Sequence, residues 1–358
     1  MKSTNSLWHL ALQKFKKNKL GVVSFWYIIF CGFIAVFCYW LAPDNTNSAN
    51  QMHLEIHSKP IGFSTQIVKI PLENSKKNSL ISSFLFGKEI KFDELPITSF
   101  KIKDTKLEVI KYADGLPKEF DLKIFKNAPE DFIETKTFYL GTDKYGRDLL
   151  SRLLIGARIS FFIGFIAVFI SLIIGIPIGA IAGYYGGKID ALIMWFINIT
   201  WSIPTLLLVI AITLALGKGF WQVFIAVGLT MWVEVARIVR GQVITTKQQQ
   251  YVEAASVLGY SDYRIIFKHI LPNILAPIIV ISAANFAAAI LIESGLSFLG
   301  IGAQPPTPSW GSMIKNHYNY IILGKPFLAV IPGIAIMSLV MAFMLLGNTL
   351  RDALDVKS

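Results

Sequence analysis

Apolar residues along this chain gather in long runs, and polar residues gather between them. A helix needs about 20 mostly apolar residues to cross the hydrocarbon layer of a membrane. Six stretches reach that length: Leu20–Leu41, Ile159–Ala182, Ala191–Leu216, Phe220–Val239, Ile274–Leu299 and Phe327–Leu346. Six spans place both chain ends on one side. Ahead of the first run, Leu7, Leu10, Ala11 and Phe15 recur at helical spacing beside Lys14, Lys16 and Lys17, the pattern of a helix lying on a membrane surface. Residues 42–139 follow a different period. Phe120, Leu122 and Ile124 alternate with Glu119, Asp121 and Lys123, Lys101–Tyr112 is rich in strand formers, and Asp114-Gly115 between them is turn chemistry. The pattern predicts a basic N-terminus over 1–19, an anchor helix over 20–41, a β-rich extracytoplasmic insert over 42–139, and a five-span core over 140–358 with a cytoplasmic loop at 245–273.

Composition agrees with a membrane protein: 54% of the 358 residues are hydrophobic and 16% charged, more apolar surface than one soluble core of this length buries. The net charge of +11 does not point to nucleic acid. Residues 42–152 hold 17 Lys/Arg against 16 Asp/Glu, so the basic excess sits in the tails and short loops near the spans. Lys2, Lys14, Lys16, Lys17 and Lys19 precede the first span with no acid among them, which by the positive-inside rule puts the N-terminus in the cytoplasm, with the C-terminal tail and residues 237–269. The first span exceeds a signal-peptide core in length, and Tyr39-Trp40-Leu41-Ala42-Pro43 is no small-residue cleavage site. Cys31 and Cys38 are two helical turns apart, about 10 Å, too far for a disulfide.

The longest loop on the inner side, Thr245–Asn273, reads as two short helices. The first, Gln248–Leu258, stops at Gly259, a residue suited to a helix C-cap. In the second, capped by Ser261 and cut off by Pro272, Tyr263, Ile266, Phe267 and Ile270 form an apolar stripe beside Arg264 and Lys268. The segment Glu253-Ala254-Ala255, three residues, Gly259, then Leu271-Pro272, resembles the signature loop of permease subunits in binding-protein-dependent ABC importers. The resemblance implies that Glu253, Ala254, Ala255, Gly259, Leu271 and Pro272 couple the chain to an ATPase subunit. Small side chains there let a partner surface approach. His269 departs from the family pattern, which has an apolar residue at that position.

Three more stretches are similar to the C-type permease subunit of dipeptide, oligopeptide and related nickel importers: Leu140-Gly-Thr-Asp-Lys-Tyr-Gly-Arg-Asp-Leu-Leu-Ser-Arg152 with Gly156-Ala-Arg158, then Glu293–Gly302, then Ala303–Gly311. The family implies an all-α polytopic chain of the type I importer permease fold in a bacterial inner membrane. It implies a heterodimeric pore with a homologous B-type permease, two ABC ATPase subunits that bind ATP and Mg, and an extracytoplasmic solute-binding protein that delivers peptide. The insert at 42–139 is outside the resemblance. Within this frame Glu293, a carboxylate near the outer end of an apolar helix, lines the path or braces the gate by pairing with Arg147, Arg152 or Arg158. Glu234 pairs locally with Arg237, and Trp310 anchors at the interface or touches the binding protein. Gly175, Gly179 and Gly183 have the small-residue spacing of close helix packing.

No phosphate-binding loop of the form G-x-x-x-x-G-K-[ST] occurs, since Gly186-Gly187-Lys188 lacks the first glycine and the hydroxyl residue. The chain is therefore expected to have no cofactor and no catalysis of its own. Nickel-chelate, glutathione and other small-solute importers use similar subunits, and an ion-coupled secondary transporter using Glu293 and Glu234 is the rival of another class.

Overall fold

The computed structural model describes residues 7–354 except 73–78, 104, 113–114, 126–128 and 218, so Lys2 and Asp114 lie outside the described residues. The helices are α1 (Leu7–Lys17), α2 (Lys19–Leu41), α3 (Leu80–Phe86), α4 (Leu149–Tyr185), α5 (Gly187–Ser202), α6 (Thr205–Leu216), α7 (Phe220–Lys247), α8 (Gln250–Val257), α9 (Asp262–Arg264), α10 (Leu275–Leu299), α11 (Trp310–His317) and α12 (Phe327–Leu354). The strands are β1 (Phe63–Pro71), β2 (Phe92–Lys103), β3 (Lys106–Lys111), β4 (Pro117–Asp121) and β5 (Ile133–Phe138). The protein is mostly helical with one small sheet. Five helical runs are long and apolar enough to cross a membrane, or six if α5 and α6 are one span.

The third expected span is that exception. Ala191–Leu216 is two helices at 90° rather than one. Ile203 takes extended dihedrals because it precedes Pro204, whose ring disfavours a helical residue before it. The second span starts earlier than its apolar run, at Leu149, and carries Arg152 and Arg158 inside its first turns.

The chain forms two compact units: Met1–Gly32, Ser160–Gln304 and Ile334–Ser358 make one, and Phe33–Ile159 with Pro305–Gly333 the other. In the first, the glycines of α4 let its backbone reach α7. A Cβ at Gly175 would come within 2.6 Å of Val235 Cβ, and one at Gly183 within 2.7 Å of the Arg240 carbonyl. Close packing is therefore the use of this spacing. One core joins Ile163 and Ala167 of α4, Val209 of α6, Phe224 and Val227 of α7, and Ala289 and Leu296 of α10. The Tyr27 hydroxyl bonds Ser338 Oγ at 2.7 Å, joining α2 to α12.

In the second unit the insert is an antiparallel sheet in the order β4-β3-β2-β1-β5. Lys101–Tyr112, a single strand-forming run by composition, is split into the β2-β3 hairpin. The alternation from Phe120 stops at Asp121, whose carboxylate accepts from the Lys123 N–H at 2.9 Å and turns Leu122–Ile124 into a 3-10 helix. Neighbours Ile67 and Val68 in β1 point to opposite faces, and both are fully buried: Val68 against Ile97, Leu107 and Val109, Ile67 against Ile56 and Phe138. The sheet is thus covered on both sides at β1. Cys31 and Cys38 are both free thiols, buried in α2.

Candidate functional site

The loop after α7 is built on a platform of aliphatic side chains. Val252 and Ala255 of α8 and Ile265, Ile266 and Ile270 beyond it are buried against Ala180 and Tyr184 of α4 and Val235, Val239 and Val243 of α7. Three polar contacts hold the same region. Arg240 grips Asp190 of α5 with two bonds of 2.5 Å, Lys247 Nζ donates to the Tyr184 carbonyl at 2.6 Å, and the Tyr184 hydroxyl donates to Asp262 Oδ1 at 2.8 Å. Local sequence reading missed Asp190, Tyr184 and Asp262, because their partners lie far along the chain.

Gly259 stands at φ +76°. The Tyr260 N–H bonds the Ala255 carbonyl at 3.2 Å and the Gly259 N–H bonds that of Ser256 at 3.0 Å, the paired bonds of a Schellman C-cap. Glu253, Ala254 and Gly259 are exposed, whereas Ala255 faces the core. The small size of Ala255 therefore serves packing within the chain. Val257 is 88% exposed and Leu258 71%, so α8 carries bare apolar side chains on its outer face.

The second helix differs from its expected form in three ways. Ser261 occupies the N-cap position with no side-chain cap bond. Pro272 does not cut the helix off: a π turn over Ile265–Ile270 and a 3-10 turn over Leu271–Ile274 carry it into α10. Proline lacks the N–H that an α-helix would use there, and the Asn273 side chain donates to the His269 carbonyl at 2.6 Å. The wider π turn also rotates the stripe, so Ile265, Ile266 and Ile270 are buried while Tyr263 and Phe267 are exposed and pack on each other with centroids 4.4 Å apart. Leu271 is half-buried and Pro272 exposed. His269 stacks on Tyr260, whose other neighbour is the Arg264 guanidinium at 4.1 Å from its centroid.

The remaining motif residues have structural partners. Asp143 Oδ1 accepts from the Tyr145 and Arg147 N–H groups, its Oδ2 takes the Arg147 side chain at 2.6–2.7 Å, and Arg152 lies 3.7 Å away. Arg158 lies over the Tyr39 ring. Trp310 is not an interfacial anchor: it is buried, its Nε1 donates to the Leu153 carbonyl at 3.0 Å, and Gly156 leaves room for its ring. Glu293 is 1% exposed, accepts from Ser297 Oγ at 2.6 Å and sits about two turns before the left-handed C-cap at Gly300. Its carboxylate is thus turned into the chain. Glu234 and Arg237 do not form the expected local ion pair. The Arg237 guanidinium lies 3.5 Å from the Trp201 ring centroid and donates to Asn198 Oδ1 at 3.1 Å. Among the described residues no group of three or more His, Cys, Asp or Glu is placed to hold a metal ion.

The arrangement joins several helices long and apolar enough to cross a membrane with one ordered, partly apolar loop displayed on a buried platform. The family described as "binding-protein-dependent transport system inner membrane component" matches residues 175–357, and the N-terminal TM domain of oligopeptide transport permease C matches residues 6–60. The chain belongs to this family of transport permeases. It is 43% identical over 219 residues to the dipeptide transport system permease protein DppC of Alkalihalophilus pseudofirmus, covering 61% of this chain and 72% of that one. It is 42% identical over 238 residues to the glutathione transport system permease protein GsiD of Escherichia coli, covering 66% and 77%. The inward-facing MetNI methionine ABC transporter aligns with a TM-score of 0.45 at 19% identity, over 56% of this chain and 95% of that chain.

Proposed function

We propose that this chain is one half of a heterodimeric pore in an ATP-driven importer of small peptides. The observation that carries the reading is the Glu253–Gly259 segment: it is ordered by a buried platform, yet turns Glu253, Ala254, Val257, Leu258 and Gly259 outward. Exposed apolar side chains on a fixed helix are suited to a protein partner, and the resemblance names that partner as an ATPase subunit. ATP and Mg are bound by those subunits, and their motion passes through the loop into α7 and α10. Lys14, Lys16, Lys17 and Lys19 beside α2 support a cytoplasmic N-terminus, with the sheet outside and the loop inside. The relatives are named for dipeptide and for glutathione transport, and both substrates are small peptides with charged ends.

The test is isolation of the complex from its native membrane and reconstitution in liposomes with its binding protein. Co-isolated ATPase chains and ATP-dependent uptake of dialanine or glutathione are expected. A homo-oligomer that moves solute with an ion gradient and without ATP overturns the proposal.

A further inference from the structure

Glu234 and Arg237 stand toward the inner end of the apolar run of α7 without neutralising each other. Glu234 is the fifteenth of the 20 residues in the apolar run Phe220–Val239, toward its inner end, and an ionisable group within a span marks a solute path or a partner charge. It is exposed on this chain, and among the described residues no ion pair reaches it. Arg237, one turn on, leaves its Nε buried without an acceptor, while its plane is fixed by Trp201 and Asn198. A guanidinium held flat on an indole is oriented but not neutralised.

Next to these charges the bend at Ile203-Pro204 opens a cavity of about 210 Å³, lined by Trp201, Thr205, Thr230, Glu234 and Ile292 among others. A cavity of about 150 Å³ is enough to hold benzene, so this one suits a single side chain. Residues three apart on a helix have Cβ atoms about 5–6 Å apart. An extended dipeptide separates its ammonium and carboxylate by about 7 Å, at about 3.3–3.6 Å per residue. Two splayed long side chains match that separation.

We infer that Glu234, Arg237 and the bend between α5 and α6 form a transit site for a zwitterionic dipeptide, with Glu234 taking the ammonium, Arg237 the carboxylate, and the cavity one side chain. The inference rests on the peptide-importer reading and adds the place on this chain where the substrate is recognised. The broken span has a purpose in it, because a straight helix over Ala191–Leu216 would leave no cavity beside Glu234.

The experiment uses the intact complex in lipid nanodiscs without binding protein, so that the binding protein's own selectivity does not enter. Tryptophan fluorescence is titrated with dialanine, N-acetyl-dialanine and dialanine amide, with Trp201→Phe identifying the reporting ring. Dialanine is expected to change the Trp201 signal. Blocking the ammonium is expected to weaken binding about 10-fold or more, the scale of one charge-assisted hydrogen bond. In Glu234→Gln the acetyl derivative should lose nothing further, whereas Glu234→Asp should keep discriminating. Arg237→Gln should remove discrimination against the amide in the same way. Equal binding of all three ligands by the wild type, or a Glu234→Gln complex that weakens all three alike, overturns the site. So does a Glu234→Gln complex whose two permease chains separate, which would make the carboxylate an interface charge. ATP-driven uptake of dialanine by the wild-type complex, reconstituted in liposomes with its binding protein, is scored separately: uptake without discrimination removes the site and leaves the importer, while no peptide uptake at all removes the importer reading.

Discussion

The Tyr184 hydroxyl donates to Asp262 Oδ1 at 2.8 Å, tying the last turn of α4 to the first turn of α9 across 78 positions of sequence. It is the polar clasp on a loop otherwise held by aliphatic contacts. Asp262 is exposed, so removing the hydroxyl strands no buried charge, and Tyr184→Phe should cost only about 1 kcal/mol. The effect should be local. Hydrogen exchange of residues 250–270 is expected to quicken in Tyr184→Phe while exchange in α10 stays unchanged. Unaltered protection of the loop would show that the aliphatic platform alone orders it.

In the sheet-bearing unit, acid should loosen the fold through two groups. Burial raises the Glu94 carboxyl, but hydrogen bonds and charge from His53 at 3.2 Å and Lys136 at 2.7 Å outweigh that and hold it down at about 2. A depressed folded value contributes stability above the unfolded value near 4.5, and that contribution is lost as pH falls from there through about 2. His317 has its pKa lowered from 6.5, chiefly by burial, and its Nε2 lies 3.4 Å from the Lys144 N–H while Nδ1 is 2.7 Å from the Met313 carbonyl. It is held neutral, so its contribution too declines as pH falls below 6.5. The thermal unfolding midpoint of the purified protein should therefore fall as pH drops below 6.5 through His317, and fall again below pH 4.5 through Glu94. Glu94→Gln should cost up to about 3–5 kcal/mol at pH 7, because it leaves the half-buried Lys136 without its counter-charge, and should flatten the lower step.

Glycines in the helices fall into two groups that a stability measurement can separate. A Cβ at Gly179 would come within 2.9 Å of Val239 Cβ and closer still to the Ala236 carbonyl. Gly179→Val should therefore destabilise by about 1–3 kcal/mol through overpacking of α4 on α7. Gly241, also helical, has nothing within 4 Å of its would-be Cβ. Gly241→Ala should stabilise the chain by up to about 1 kcal/mol through helix propensity. Melting of the two variants in one detergent checks both directions, and equal shifts would remove the close-packing account of α4.

Much of the helical frame was legible because a membrane span needs little more than a long apolar run, and the two-residue period gave away the sheet. What stayed hidden depended on contacts between distant residues. Pro204 was visible, but tolerated prolines inside helices are common in membranes, as Pro177 within α4 and Pro332 within α12 show. Only the extended Ile203 distinguishes the bend from these. The exposed part of the 245–273 loop is legible from its motif, yet Ala255, which looks the same as Ala254 in the sequence, faces inward. The stripe through Tyr263 failed because a 3.6-residue period was applied to a π turn. Residue type suggests an exposed place for Trp310, which is instead buried by a partner, Leu153, that no local pattern announces.

The most direct test of the coupling role is Gly259→Asp. Gly259 closes α8 at φ +76° with nothing within 4 Å of a would-be Cβ, so an added side chain meets no atom of this chain. The cost within the chain is then conformational, about 1–2 kcal/mol for a non-glycine residue in the left-handed region, and aspartate is among the residues that tolerate it best. Folding and membrane insertion should survive. The new carboxylate would instead stand on the outer surface beside Leu258, 71% exposed, where an ATPase subunit is proposed to seat. Burying an unpaired charge in such a contact is far costlier than the turn strain. Gly259→Asn isolates the two effects, since it shares the backbone demand and nearly the same size but carries no charge. The expected order of ATP-driven uptake is wild type, then Asn, then Asp. The Asp complex should either lose its ATPase chains or hydrolyse ATP without response to loaded binding protein. If Gly259→Asp takes up peptide like the wild type with normal stimulation, the loop does not transmit the ATPase motion. If Asn and Asp fail equally, the left-handed turn itself rather than the docked surface is what the partner requires.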